Sequence, residues 1–572
     1  TPTPTPTPRP TPTPTPVVVP TPTPGTLGAN TSLSGALLTE TFTNDAVNAS
    51  GQFYADKRLV ENGRSSSGAL TIAYNASTQS YTISTASRSA TFAPADMVAS
   101  GSTNFTSYEK SGTISQALTL TRPGTSGSLT YRYVGGGAWE RASVTGDRLD
   151  FSYDPFTYGV ETPDASLVRS GIGRYAVSLV GARGIETPFA VSGSGDLQID
   201  FASGSLQSNG VLSSIDVNTG LIQNIGVYFG SATLASNANA FAGLFFFDDG
   251  KRFNGAWGGR FYGPNGEEVG AAWSLTSADG EFAAGYLVGR QDGSVPGLNA
   301  SMTAMIFDDQ YDIRFSQLSF TDLGGNVSAS GFNDLRSDSQ IKYIAATQSY
   351  DFVDTTRGIN TRFTQSNLVP GESNSNIAVY RMTALDGLTY KLSLNKAGSG
   401  NSAIALTYAS FGHWERLQAA GSEKLDRWFA WGIRTNGFQI PTGTATYSGL
   451  LRGTGVRVGG GEQWRMGGTS SFTMDFGAQS FTGSINPIGT DLVGGTTYDF
   501  GTYNLTRGAI DLDGGLNADI VHGNNYRGFF EGALYGPTAS EVGGSFGLQT
   551  GDGADPQTIY MNGVLVGKRT GG

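Results

Sequence analysis

The stretch GRFYGPNGEEVGAAWSL at residues 259–275 returns as GALYGPTASEVGGSFGL at residues 532–548. Tyr262, Gly263, Pro264, Glu268 and Gly270 recur as Tyr535, Gly536, Pro537, Glu541 and Gly543. Proline brings no amide hydrogen to a ladder, and the glycine before it permits a sharp bend. Each copy therefore reads as a strand that stops at Gly-Pro, turns and re-enters as a strand. The glutamate beside the turn is suited to capping free amides. Glu268 and Glu541 sit in different copies, so they make a poor catalytic pair.

Other pairs keep the same order at an offset near 270 to 275 residues. LTYRYVGGGAWER (129–141) returns as LTYASFGHWER (406–416), which carries Trp139, Glu140 and Arg141 onto Trp414, Glu415 and Arg416. FTYGVET (156–162) returns as FAWGIRT (429–435), and STQSY (77–81) as ATQSY (346–350). The chain thus reads as two homologous lobes, 26–297 and 298–572. Each is too long for one small sandwich, so each is expected to have two parts. The Trp-Glu-Arg triplets read as architecture, with the aromatic on a core and the adjacent charges paired.

From Gly25 onward the pattern is β. QSYTIST (79–85), SGSLTYRYV (126–134), SGDLQIDF (194–201), SFTMDF (471–476) and QTIYMNGVLVG (557–567) alternate with period two and are rich in β-branched and aromatic residues. Asp-Gly at 249, 279, 292 and 513 and Asn-Gly at 62, 265 and 436 are candidate tight turns. Only QAAGSEKLDRWF (418–429) offers room for a short helical turn.

Composition removes several function classes. The 572 residues include no Cys and two His, which excludes thiolate nucleophiles, Cys-ligated metals and three-histidine metal sites. With 47 acidic against 36 basic residues, a uniformly basic nucleic-acid-binding surface is not expected. No run approaches the roughly 18 to 20 apolar residues of a membrane-spanning helix. Residues 1–25 hold 11 of the 23 prolines, mostly in Thr-Pro repeats. Such a segment forms neither helix nor ladder and is expected to be an extended spacer reaching roughly 75 Å. A spacer of this kind holds a folded body away from an attachment point, in a bacterial protein a lipidated cysteine just upstream.

The FxYGxxT and FxWGxxT segments from Phe156 and Phe429, IPTGTATYSGLLRG (440–453) with its degenerate counterpart SGIGRYAVSLVG (170–181), and the repeated YGPxxxExG segment resemble the two-lobed bacterial surface lipoproteins typified by transferrin-binding protein B. The resemblance spans essentially the whole chain. It implies an all-β fold in which each lobe is an antiparallel β handle followed by an eight-stranded β-barrel filled by side chains. Handles are expected at 26–170 and 298–440, and barrels at 171–297 and 441–572. It also implies lipid anchoring at the cell surface of a bacterial outer membrane and capture of a ligand for a TonB-dependent transporter. No ligand contact is carried over, because the family's binding loops vary. The ligand class is left as macromolecular, glycan or iron-containing.

Motifs that carry chemistry are weak. Gly543-Gly544-Ser545-Phe546-Gly547 fits GxSxG, but it lies within an apparent strand and its first-lobe equivalent is Ala272. Asp511, Asp513 and Asp519 flank a Gly-Gly that reads as a hairpin rather than a calcium loop. FFFDDG (245–250) and MIFDDQYD (305–312) read as strands leaving a core with solvated acids, and His413, opposite Ala138, as a surface histidine. No catalytic residue, cofactor or metal site is expected. The better binding candidates are aromatics interleaved with arginine, from which Trp257, Trp428 and Arg434 are singled out. The expectation is a non-enzymatic binding lipoprotein. The rivals are an adhesin or surface-layer component, a transmembrane barrel, and a polysaccharide-binding or polysaccharide-active protein.

Overall fold

A computed structural model describes residues 28–54, 59–99, 102–184, 189–217, 219–322, 327–384, 387–417, 423–457, 461–523, 525–551 and 557–571. The Thr-Pro segment lies outside these residues. The chain divides into two compact units, Thr1–Pro296 and Gly297–Gly572.

In the first unit, a ten-stranded antiparallel sheet precedes a closed eight-stranded barrel. The sheet is organised around the long strand Glu40–Tyr54, which pairs with Arg148–Gly159. Its core packs Phe42, Ile72, Phe92, Leu118, Trp139 and Phe156. The barrel begins with Ile172–Arg183 and ends with Phe282–Gln291, and these two strands pair along their length to close it. Strand alternation fills the barrel with aromatics: Phe245 and Phe247 belong to the core cluster, whereas Phe246 between them does not. Phe245 lies between Trp257 and Trp273, at ring-centroid distances of 5.4 and 5.7 Å. Burying each such ring stabilises the fold by about 2 to 3 kcal/mol.

The second unit repeats the plan. An eight-stranded sheet carries Phe352, Trp414 and Phe429 in its core. The barrel that follows starts at Thr444–Arg457, which pairs with the last strand, Ile559–Gly571. Pairing of Gln463–Asp475 with Ser480–Asp491 completes its ring of eight, and the short strand Thr497–Asp499 lies off that ring. Each lobe is thus an antiparallel handle followed by an eight-stranded barrel.

Three local expectations differ. SGSLTYRYV is not a strand; the ladder begins only at Val134, and Leu129 has a left-handed φ of 66°. Its alternation serves packing against the barrel rather than pairing. Asn62-Gly63 falls inside the strand Leu59–Gly68 instead of at a turn. Of the segment given room for a helical turn, residues 418–422 lie outside the described residues and the remainder opens the strand Glu423–Gly432.

Candidate functional site

The repeated motifs converge within each lobe on one place, the junction of handle and barrel. Glu268 starts a barrel strand and its carboxylate accepts three consecutive handle amides, those of Arg132 (2.9 Å), Tyr133 (2.6 Å) and Val134 (2.9 Å). Glu541 accepts those of Thr407 (2.7 Å), Tyr408 (2.9 Å) and Ala409 (2.8 Å). These amides belong to the first residue of a handle strand and the two residues before it, where the ladder has only begun, so the carboxylate supplies the acceptor that the sheet does not. Burial raises the Glu268 carboxyl above the ordinary range, against the pull of the three amides and Arg290. The contacts also correct the alignment of the copies: Tyr408 corresponds to Tyr133, two residues beyond the Leu-Thr-Tyr match.

The other motif residues lock the same joint. Thr162 and Thr435 donate their hydroxyls to the carbonyls of Gly263 and Gly536, at 2.6 and 2.7 Å. Gly263 and Gly536 have φ of 89° and 75°, and a Cβ there would meet the rings of Tyr133 and Tyr408. Glycine is thus needed twice over, for backbone geometry and for space. Gly159 and Gly432 likewise leave no room for a Cβ beside the Tyr133 and Tyr408 carbonyls.

Charges at the junction differ between lobes. In the first, barrel Arg260 binds handle residues Asp45 (2.9 Å) and Glu161 (2.8 Å). Burial opposes its charge, but Asp45 and Glu161 outweigh that and hold it more firmly cationic. In the second, the cation is on the handle: Arg314 lies 3.9 Å from barrel Glu531. Inside the handles the polarity also alternates. Arg88 pairs with buried Asp154 on the strand after the Trp139 strand, whereas in the second lobe Arg427 occupies that strand and pairs with Asp354 at 3.0 Å. Burial pushes Arg427 down to about 10, with Asp354 offsetting only part of the effect.

Trp257 is buried, 3% exposed, inside the first barrel; its Nε1 donates to the Ser231 carbonyl and its ring packs on Phe241 and Phe245. The expectation of an exposed binding aromatic fails there, because period-two alternation puts Trp257 on the same inward face as Phe253 and Phe261. Trp428 is half-buried at the second junction, where Nε1 donates to Thr454 at 3.0 Å and the indole stacks on His413 at 4.1 Å. Arg434 bridges to Tyr535 across the joint and lies 3.7 Å from exposed Asp513. The structure does not gather the three residues into one site.

His413 is not the surface histidine expected from sequence. Its Nε2 lies 2.8 Å from Asp426 and its Nδ1 3.5 Å from Glu415, with Trp428 covering one ring face. Asp426 also accepts from barrel residues Thr454 and Asn562, so the cluster belongs to the same joint. Burial favours neutral imidazole, but Asp426 and Glu415 overcome it and the pKa rises. The two carboxylates approach opposite nitrogens of the ring, an arrangement that favours the imidazolium. The side-chain cluster left no signal in sequence beyond Glu415, two residues after His413.

The nucleophile motif dissolves in structure. Ser545 lies within the strand Glu541–Gln549 and is 1% exposed, with no strand-to-helix turn. Asp511 and Asp513 occupy a hairpin turn that Gly514 closes at φ 78°. Asp249, expected to be solvated, is buried against Arg183 (3.0 Å) and Ser214. Apart from these structural carboxylates, the second unit carries a groove of about 600 Å³ lined by Ile404, Ser448, Ser471, Ser484, Asn486 and Lys568 among others. Its hydroxyl and amide groups can hydrogen-bond a polar ligand, and Lys568, cross-strand from Ser448, donates its Nζ to the Ala405 carbonyl at 2.6 Å.

Residues 440–569 match the family described as C-lobe and N-lobe beta barrels of Tf-binding protein B. No curated protein matches the chain. Among solved structures, a double mutant of transferrin binding protein B from Haemophilus parasuis Hp5 is 16% identical, with 76% of this chain and 83% of that chain covered and a TM-score of 0.28. Isotype 1 transferrin binding protein B from Neisseria meningitidis is 16% identical, with 77% and 85% covered and a TM-score of 0.27. HpuA from Kingella denitrificans, solved with human haemoglobin, is 13% identical, with 48% and 93% covered and a TM-score of 0.24. Residues 440–569 thus match the barrel family of Tf-binding protein B, and the first lobe repeats the handle-and-barrel plan in which that matched barrel stands.

Proposed function

We propose that this chain is a lipid-anchored surface protein of a bacterial outer membrane. It captures a macromolecular, iron-carrying ligand and acts as co-receptor for a TonB-dependent transporter. The observation that supports it best is the barrel-family match over residues 440–569, joined to a handle by a glutamate cap that the first lobe repeats with its own residues. Such a joint keeps each handle fixed on its barrel, as a protein that presents a preformed surface to a large partner requires. The buried carboxylates of the joints hold backbone amides and arginines, which suits a protein whose work is recognition. The Thr-Pro segment supplies the reach from a membrane anchor.

Titration calorimetry of the purified chain against iron-loaded and iron-free forms of candidate carrier proteins, haemoglobin included, tests the ligand class. Saturable binding of one iron-carrying protein supports the reading. Binding of none, with turnover of a glycan in its place, overturns it.

A further inference from the structure

The groove of the second unit has a barrel floor and a handle bank. Its floor is the outer wall of the strands Thr444–Arg457, Gln463–Asp475 and Ser480–Asp491, and its bank is the handle segment at Ala403 and Ile404. Register sets the polar side chains in rows. Lys568, Ser448, Ser471 and Ser484 are successive cross-strand partners, and Thr469 and Asn486 pair in the next row on the same face. Neighbouring groups thus stand about 4.8 Å apart across strands and about 6.8 Å apart along them, comparable to substituents on opposite sides of one pyranose ring. Ser471 and Ser484 share a hydrogen bond at 2.9 Å. The exposed side chains of Ser448, Thr469 and Asn486 have no hydrogen-bond partner among the described residues, so their polar atoms are available to a ligand.

Charge narrows the ligand. Lys568 is the one charged residue among the described residues that line the groove, in a chain of net charge -11. Its ammonium has three donors, of which the Ala405 carbonyl takes one. Glu541, 4.0 Å away, already accepts three backbone amides.

The first barrel repeats the cation but not the floor. Tyr175 and Tyr447, which donate to the Gly266 and Ala539 carbonyls at 2.6 Å each, align the two walls. Arg290 then stands for Lys568 and donates to the Thr130 carbonyl at 2.7 Å, so the cation belongs to the joint in both lobes. Along the same rows the first barrel carries Ala176, Asp196 and Val211 in place of Ser448, Ser471 and Asn486. The joint therefore demands the cation, and not the carboxylate-free polar floor.

We propose that this groove binds an acidic sugar residue, with its carboxylate on Lys568 and its hydroxyls on Ser448, Ser471, Thr469 and Asn486. The volume of about 600 Å³ suits a short oligosaccharide, within the roughly 300 to 1,000 Å³ of small-molecule sites. Each floor strand is paired on both sides, which leaves no edge for a peptide to extend. A phosphate is disfavoured by the single cation, since phosphate sites gather several charged or amide donors. The site is separate from the capture of an iron-carrying protein, and either can fail without the other.

The test is an array of acidic and neutral glycans probed with the full chain. Calorimetry then compares the strongest acidic glycan with the same glycan after reduction of its carboxylate to the alcohol. The acidic form should bind about tenfold more tightly or better. Ser471→Asp, which installs the first barrel's carboxylate, should weaken that binding about tenfold or more, and Asn486→Val about threefold or more, with near-ultraviolet circular dichroism unchanged. Asn517→Asp, elsewhere on the same barrel, should leave the affinity intact. Retention of no acidic glycan, equal affinity for the reduced form, or full affinity in Ser471→Asp each overturns the proposal.

Discussion

Glu541 holds the backbone of Tyr408 at 2.9 Å, and in the first lobe Glu268 holds that of Tyr133 at 2.6 Å. One carboxylate thus satisfies three handle amides from the edge of a barrel, twice in the same chain.

Removing that carboxylate has a local and a global signature. Glu541→Ala leaves three amides without an acceptor and should destabilise the second lobe by about 3 kcal/mol; Glu541→Gln, which keeps one acceptor oxygen, should cost about 1 to 2 kcal/mol. Urea unfolding gives the magnitudes. Hydrogen exchange should show lost protection at Thr407, Tyr408 and Ala409, and unchanged protection there would refute the role of the carboxylate.

The glycine of the repeated Gly-Pro is as specific. Gly536→Ala forces a Cβ into the Tyr408 ring at a left-handed φ of 75° and should cost about 1 to 3 kcal/mol. Adding Tyr408→Ala opens the space but not the backbone, so the double variant should recover only part of the stability that Gly536→Ala loses relative to Tyr408→Ala alone. A double-mutant cycle in urea measures the coupling.

His413 gives the second joint a pH dependence. Its folded pKa lies above the unfolded 6.5, so its contribution is fully present below 6.5 and is lost as pH rises through the folded value. The charges that set the window are Asp426, Glu415 and, in opposition, Lys391. Unfolding midpoints of the wild type should therefore fall relative to His413→Gln as pH rises above 6.5. Parallel profiles for the two proteins would show that the imidazolium contributes nothing.

Trp257→Ala should destabilise the first barrel by about 3 to 5 kcal/mol through the cavity it leaves. Ligand affinity of the fraction that remains folded should not change, because the indole is inside the wall. Calorimetry with the folded variant distinguishes this from a contact role.

Much of this was legible in the sequence. The duplication, the strand–turn–strand reading of YGPxxxExG and the capping role of its glutamate all follow from residue types that admit few conformations. Misreadings arose where one pattern serves two ends. SGSLTYRYV alternates like a strand, yet the amides of Arg132 and Tyr133 go to Glu268 and the ring of Tyr133 packs on Gly263. Trp257 has arginines near it in sequence, which suggests an interface, but its phase with Phe253 and Phe261 fixes it inward. The His413 cluster joins strands on both sides of the joint, through Asp426, Thr454 and Asn562, and such long-range pairings leave no local periodicity. The charge reversal between lobes was hidden for the same reason: Asp45 and Arg260 stand far apart in the chain.

The most direct test of the account is a pull-down from native outer membranes under mild detergent, with the full chain as bait and mass spectrometry as readout. The account predicts near-stoichiometric recovery of an iron-carrying protein together with a TonB-dependent transporter. Recovery of neither, from membranes in which such transporters are abundant, would contradict it.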